Sequence, residues 1–186
     1  MRAKINQIML ELLQGDITQQ NVDAIVNAAN NSLLGGGGVD GAIHRAAGSQ
    51  LLAETRTLNG CKTGDAKISA GYKLKARHVI HSVGPVYRAN DPDVPRLLAS
   101  AYRRSLEVAV EHDLKSIAFP AISTGVYGYP LAEATRIALE TVCTFVSDHT
   151  QPDLVGFIAF DSRTQGVYEQ TLMALIAERN DLHLAC

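Results

Sequence analysis

Short runs rich in valine and isoleucine alternate along this chain with longer stretches of helical period. The runs Ile8–Leu13, Ala24–Asn27, Ala66–Ala70, His78–Val83, Ser116–Phe119 and Leu154–Phe160 read as strands. Between them the spacing predicts helices, two of them short, over Val39–Ala47 and Gln50–Leu58. A third opens at Pro92-Asp93-Val94-Pro95 and carries Leu97, Leu98, Ala101, Ser105, Val108 and then Ala109 or His112 along one face. A fourth starts at Pro130, a residue that the first helical turn tolerates, with Ala134, Ala138, Val142 and Phe145 behind it. Ser162 and Gln165 form a capping box ahead of a fifth, which carries Tyr168, Leu172, Leu175 and Ile176. Strands alternating with helices imply a layered α/β domain with helices on both faces of a sheet. No repeat, low-complexity tract or linker interrupts the pattern, so we expect one domain over residues 1–186.

Composition then excludes several classes of protein. Hydrophobic residues are 46% of the chain and charged residues 19%, too apolar and too weakly charged for disorder. No stretch approaches the ~18 consecutive apolar residues of a membrane span. The start, Met1-Arg2-Ala3-Lys4-Ile5-Asn6-Gln7, lacks the apolar core of a secretory signal, so a cytoplasmic location without membrane contact is expected. A net charge of −2 argues against binding along a nucleic-acid duplex, which takes many cations. It leaves room for a small anion held by backbone amides. Cys61, Cys143 and Cys186 are widely separated with no C-x-x-C, against a disulfide framework or a zinc site. His78 and His81 fall on opposite faces of one strand and cannot share a metal; no metal is expected.

Three loops, each directly after a strand, carry the chemistry. The first, Gln14-Gly15-Asp16-Ile17-Thr18, is either a plain turn or an acidic side chain placed to accept from an amino group. The second runs Asn27-Ala28-Ala29-Asn30-Asn31-Ser32-Leu33-Leu34-Gly35-Gly36-Gly37-Gly38-Val39-Asp40-Gly41 into a helix. It is either a flexible surface loop or a phosphate site built from glycine backbone and free amides at the helix start. On the second reading, a side chain at Gly37 or Gly38 should block binding. Its match to the dinucleotide fingerprint is formal only, because a polar loop intervenes after the strand and no acid ends the next one. The third, Pro120-Ala121-Ile122-Ser123-Thr124-Gly125-Val126-Tyr127-Gly128-Tyr129-Pro130, again offers amides and small side chains before a helix. Ser123 lacks the elbow of a serine hydrolase and a histidine placed as its base. Tyr127 and Tyr129 are either core aromatics or a lid over a sugar. In α/β sheets ligands bind beyond the carboxyl ends of strands, so the loops converge if their strands are parallel. The cleft would suit an amino-bearing base, phosphates and a sugar.

Taken together, Gly15-Asp16-Ile17-Thr18, Val26-Asn27-Ala28-Ala29-Asn30 with Gly35-Gly36-Gly37-Gly38-Val39-Asp40-Gly41-Ala42-Ile43-His44, and Ile122-Ser123-Thr124-Gly125-Val126-Tyr127-Gly128 resemble the macrodomain family over nearly the whole chain. The resemblance implies a three-layer α/β/α sandwich with a mixed central sheet. The pairing of Asn30 with Asp40 resembles the branch that hydrolyses O-acetyl-ADP-ribose and mono-ADP-ribosyl aspartate or glutamate. It implies ADP-ribose and its esters as ligands, mono-ADP-ribosylated proteins as partners, and no cofactor. Alternatives are an ADP-ribose-binding module without turnover and an ADP-ribose-1″-phosphate phosphatase.

The same resemblance implies roles. Asp16 would bond the adenine amino group, with the Ile17 backbone beside it. Gly38 and Val39, with Ser123, Thr124, Gly125 and Val126, would cradle the diphosphate. Asn30 would hold the distal ribose, Tyr127 would pack on it, and Phe160 would stack on adenine. Asp40 would be the general base or orient the water; its plainer reading is a carboxylate favoured by the helix dipole. A diphosphate's like charge would make a nearby carboxylate a stronger base.

Overall fold

A computed structural model describes residues 1–186. Eight strands form one sheet. They are β1 (Arg2–Ile5), β2 (Ile8–Gln14), β3 (Ala24–Ala28), β4 (Ala66–Ala70), β5 (His78–Ser82), β6 (Ser116–Phe119), β7 (Leu154–Ala159) and β8 (Leu182–Leu184). Five α-helices join them: α1 (Gly38–Ala47), α2 (Ser49–Arg56), α3 (Asp93–Glu111), α4 (Leu131–Ser147) and α5 (Ser162–Glu178). The strand order is β4-β5-β3-β6-β7-β2-β1-β8. The inner strands β5, β3, β6, β7 and β2 are all parallel. β4 and β1 join them antiparallel, and β8 closes the far edge against β1. The sheet is therefore mixed, as the resemblance implied.

Side-chain alternation along each inner strand splits the core into two layers. Ala24 and Val26 of β3, Ile80 of β5, Ile117 and Phe119 of β6, and Val155 and Phe157 of β7 pack in the larger cluster with α3, α4 and α5. Their neighbours Ile25, Val79, Ala118 and Ile158 point the other way, to Ile43 and Ala47 of α1 and Leu51 of α2. The result is helix, sheet, helix. Parallel pairing brings the carboxyl ends of β2, β3, β5, β6 and β7 to one edge, so the loops after them share one end of the molecule.

Local departures from expectation have physical causes. β1 and β8 escape the sequence pattern because they bury so few side chains, Ala3 and Ile5 in one and Leu182 in the other. Helix α5 is capped by Asp161, not by a box of Ser162 and Gln165. The Asp161 carboxylate accepts from Thr164 N at 2.8 Å, while Gln165 turns along the helix to Glu169. Along α3 the buried face includes Tyr102 and Leu106, whereas Leu97 is half-buried and His112 exposed. Pro130 stands just before α4 as its cap.

Candidate active site

All twelve residues singled out from the sequence line one cleft of about 1030 Å³ at the carboxyl end of the sheet. Asp16 and Ile17 come from the loop after β2, Asn30 from that after β3, and Gly38, Val39 and Asp40 from the start of α1. Ser123, Thr124, Gly125, Val126 and Tyr127 come from the loop after β6, and Phe160 is the first residue past β7, which stops one residue short of the expected end. The sequence reading missed other walls of the cleft, Gly84, Arg45, Asp161 and Thr164, and gave Gly36 no role of its own within the glycine run. Arg45 is the one basic side chain on the lining, so any anion there meets backbone amides more than cations.

Asp16 serves both of its readings. Its Oδ1 accepts from Thr18 N at 2.9 Å and from Thr18 Oγ1 at 2.7 Å, capping a single 3-10 turn. Its Oδ2 is left without a partner on the cleft wall.

Asn30 organises its own loop. Its Oδ1 accepts from Ser32 Oγ at 2.6 Å and from the amides of Ser32 and Leu33, both at 3.2 Å. Its Nδ2 donates to Gly35 O at 2.9 Å, which leaves one amide N–H for a ligand.

Asp40 is the third residue of α1 and is buried. Its Oδ1 accepts from Asn27 Nδ2 at 2.8 Å. His44 Nε2, one turn further along α1, lies 3.4 Å from the same oxygen and has no hydrogen-bond partner. Oδ2 faces Gly36, where a methyl group would come within 3.1 Å of it and 3.3 Å of Asn30 Nδ2. Gly36 thus floors a space that Asp40 and Asn30 share. Asn27 and His44 were within the motif but had no assigned role. The signals for them were a buried amide in an apolar strand and an i, i+4 pair on one helix.

The glycine run divides by position. Gly38 has φ of +56°, where a branched side chain is strained. A side chain at Gly41 would meet the Gly36 carbonyl at 2.5 Å. Gly37 differs: its φ is −90° and an added Cβ meets nothing within 4 Å. Nothing in the fold itself therefore demands glycine at Gly37; the expectation that a side chain there blocks the site rests on the ligand that the cleft would hold.

The loop after β6 is held from below. Tyr102 of α3 donates its hydroxyl to Pro120 O at 3.3 Å and accepts from Ile122 N at 3.1 Å. Ser123 follows at φ of +67°, and Tyr129 N donates to Ser123 O at 2.9 Å. Ser123 Oγ is buried without a partner, so no base activates it. Tyr127 half-lines the cleft, while Tyr129 is buried in the core against Tyr87. The lid reading therefore fits only the first of the two tyrosines. Val126 and Phe160 stand free at the rim, Phe160 at 90% exposure.

Comparison with known proteins defines the class. The Macro domain family model matches residues 26–138, and the chain belongs to that family. A macro domain-containing protein of Mesorhizobium japonicum is 59% identical over 161 residues, covering 87% of this chain and 92% of that protein. An O-acetyl-ADP-ribose deacetylase of Salmonella newport is 52% identical, covering 88% and 93%. Among solved structures, the Oceanobacillus iheyensis macrodomain with ADP superposes with a TM-score of 0.93 at 43% identity, covering 96% of this chain and 97% of that one. Its G37V variant has been solved with ADP-ribose.

Proposed function

We propose that the cleft binds ADP-ribose and hydrolyses its esters, O-acetyl-ADP-ribose and mono-ADP-ribose on acidic side chains. One observation carries the reading: a buried carboxylate, Asp40, is anchored through Oδ1 and bare at Oδ2, beside Asn30 in the space floored by Gly36. Support comes from the deacetylase of Salmonella newport and from the Oceanobacillus iheyensis macrodomain solved with ADP. Asp16 Oδ2 then accepts from the adenine amino group, beside the Ile17 backbone, and Phe160 stacks on the base. The amides of Gly38 and Val39 and of residues 123–126 receive the diphosphate. Asn30 offers its spare N–H to the distal ribose, under Tyr127.

In the reaction, Asp40 Oδ2 takes a proton from the attacking water as the water oxygen bonds to the ester carbonyl carbon. The bond from that carbon to the ribose oxygen breaks, the proton passes from Asp40 to the departing ribose oxygen, and a carboxylic acid and ADP-ribose are released. A fixed base contributes about 10²–10⁴ in rate, and the amides around the diphosphate hold the substrate in line at small reorganisation cost. The proposal treats residues 1–186 as one macrodomain acting in the cytoplasm. Mass spectrometry of products from both esters tests it. ADP-ribose and free carboxylate are expected from each. Binding without product would leave a recognition module, and phosphate release from ADP-ribose-1″-phosphate alone would leave the phosphatase.

A further inference from the structure

We propose that His81, outside the cleft lining, is a positioning residue. It holds the Asn27 carboxamide in the orientation that keeps an N–H on Asp40 and leaves Asp40 Oδ2 bare. The inference rests on reading Asp40 as the base.

Strand register builds the arrangement. Asn27 and His81 are direct cross-strand partners of β3 and β5. Ser69 of β4 pairs with Val79 and so lies diagonal to His81. Two residues before Asn27 and His81, Ile25 and Val79 pack in the layer under α1, so period-two alternation turns both polar groups to that layer too. Asn27 and His81 have no exposed surface and Ser69 only 3%.

The contacts admit one consistent set of protons. Asn27 Nδ2 lies 2.8 Å from Asp40 Oδ1 and 3.2 Å from His81 Nδ1. A carboxamide nitrogen carries two N–H groups. One donates to Asp40, so the other donates to His81 Nδ1, which accepts through its lone pair. The imidazole proton then sits on Nε2 and donates to Ser69 Oγ at 2.9 Å. The Ser69 hydroxyl donates onward to Ala70 O at 3.1 Å. An imidazolium would set N–H against N–H at Asn27. Burial opposes it as well: desolvation, with His44 nearby, pushes His81 down to about 3. Asn27 Oδ1 is itself buried and unpartnered. The amide is therefore held from its nitrogen side alone, by Asp40 and His81. With no acceptor at His81 Nδ1, one of those two holds is gone, and a turned amide would set an oxygen against the Asp40 carboxylate.

Two substitutions separate positioning from packing. In His81→Asn, an amide oxygen stands near the place of Nδ1. In His81→Gln, which matches histidine better in size, the δ position holds the amide carbon, which accepts nothing, and the oxygen and nitrogen lie one bond further out, near the place of Nε2. His81→Gln should lower kcat on O-acetyl-ADP-ribose by about 10–100-fold, the scale seen when a metal ligand loses the partner that orients it, with KM and ADP-ribose affinity little changed. His81→Asn should retain several-fold more kcat than His81→Gln. The reverse order, or losses in kcat that follow the loss of folded protein, would overturn the proposal. Nitrogen NMR of the ligand-free wild type reads the tautomer without any turnover. His81 should be the neutral Nε2–H form throughout the range from about pH 5 to 8, where histidines ordinarily titrate. An Nδ1–H tautomer overturns the proposal. A wild type that turns over neither ester but shows the Nε2–H form overturns the hydrolase reading and the catalytic part of this proposal, while the placement of the Asn27 amide stands.

Discussion

Asp40 and Asp16 divide their oxygens in the same way. In each, Oδ1 is spent on the protein, to Asn27 or to Thr18, and Oδ2 is left to the cleft. For Asp16 this separates two effects that an alanine would mix. Asp16→Asn keeps an oxygen for the Thr18 cap and removes the charge. Calorimetry should show ADP-ribose bound more weakly by ~1–3 kcal/mol, the range for a charge-assisted hydrogen bond. Unchanged affinity would take Asp16 out of adenine recognition. The glycines give a second contrast. Gly38→Val should abolish binding because φ of +56° is closed to a branched side chain, whereas Gly37→Val, at an ordinary φ of −90°, should lose less. Equal loss in both would mean that bulk on the loop matters more than backbone conformation. Asp16 could be picked out in the sequence as an acidic side chain in a turn after a strand, whereas Asn30 and Asp40 stood out through the family resemblance. His81 was read only as half of an impossible metal pair. Its partner Asn27 is 54 positions away, and only the pairing of β3 with β5 brings the two together.

Among the elements, α3 lines no part of the cleft, yet its buried Tyr102 hydroxyl bonds both Pro120 O and Ile122 N beneath the loop after β6. Tyr102→Phe leaves a buried amide unpaired, at a cost of about 1–3 kcal/mol. Urea unfolding should show that loss, and calorimetry should show weaker ADP-ribose binding, because the loop that follows loses its hold. A loss of stability with unchanged affinity would mean that the loop keeps its shape without α3. The inner strands and all five helices could be read from periodicity, with ends off by a residue or two. β1 and β8 could not, since they bury so few side chains, and their pairing with the far edge depends on tertiary contacts. The cap of α5 went to Asp161 because a carboxylate one residue earlier reached the free Thr164 amide first.

At the scale of the whole molecule, a neutral buried histidine ties stability to pH. His81 binds its proton far more weakly folded than unfolded, with a folded value near 3 against an ordinary 6.5. As pH falls through about 6.5 the unfolded chain gains a proton that the folded chain refuses, so stability is full above that value and declines toward 3. Between pH 7 and pH 5 this amounts to about 2 kcal/mol. Urea unfolding of wild type should show the decline, and His81→Asn should lack that share of it; equal slopes would mean that His81 takes up its proton in the fold. The parallel strands make the larger connection, since residues beyond the carboxyl ends of all five line one cleft, with Asp40 on its wall. The most direct measurement is therefore made on Asp40→Ala, with ester hydrolysis followed by mass spectrometry and ADP-ribose binding by calorimetry on the same protein. Hydrolysis should fall by ~10²–10⁴, the share of a general base, while affinity stays level or improves as a negative charge leaves the diphosphate's surroundings. Hydrolysis within a few-fold of wild type would contradict the account, leaving the substrate's own diphosphate to take the proton.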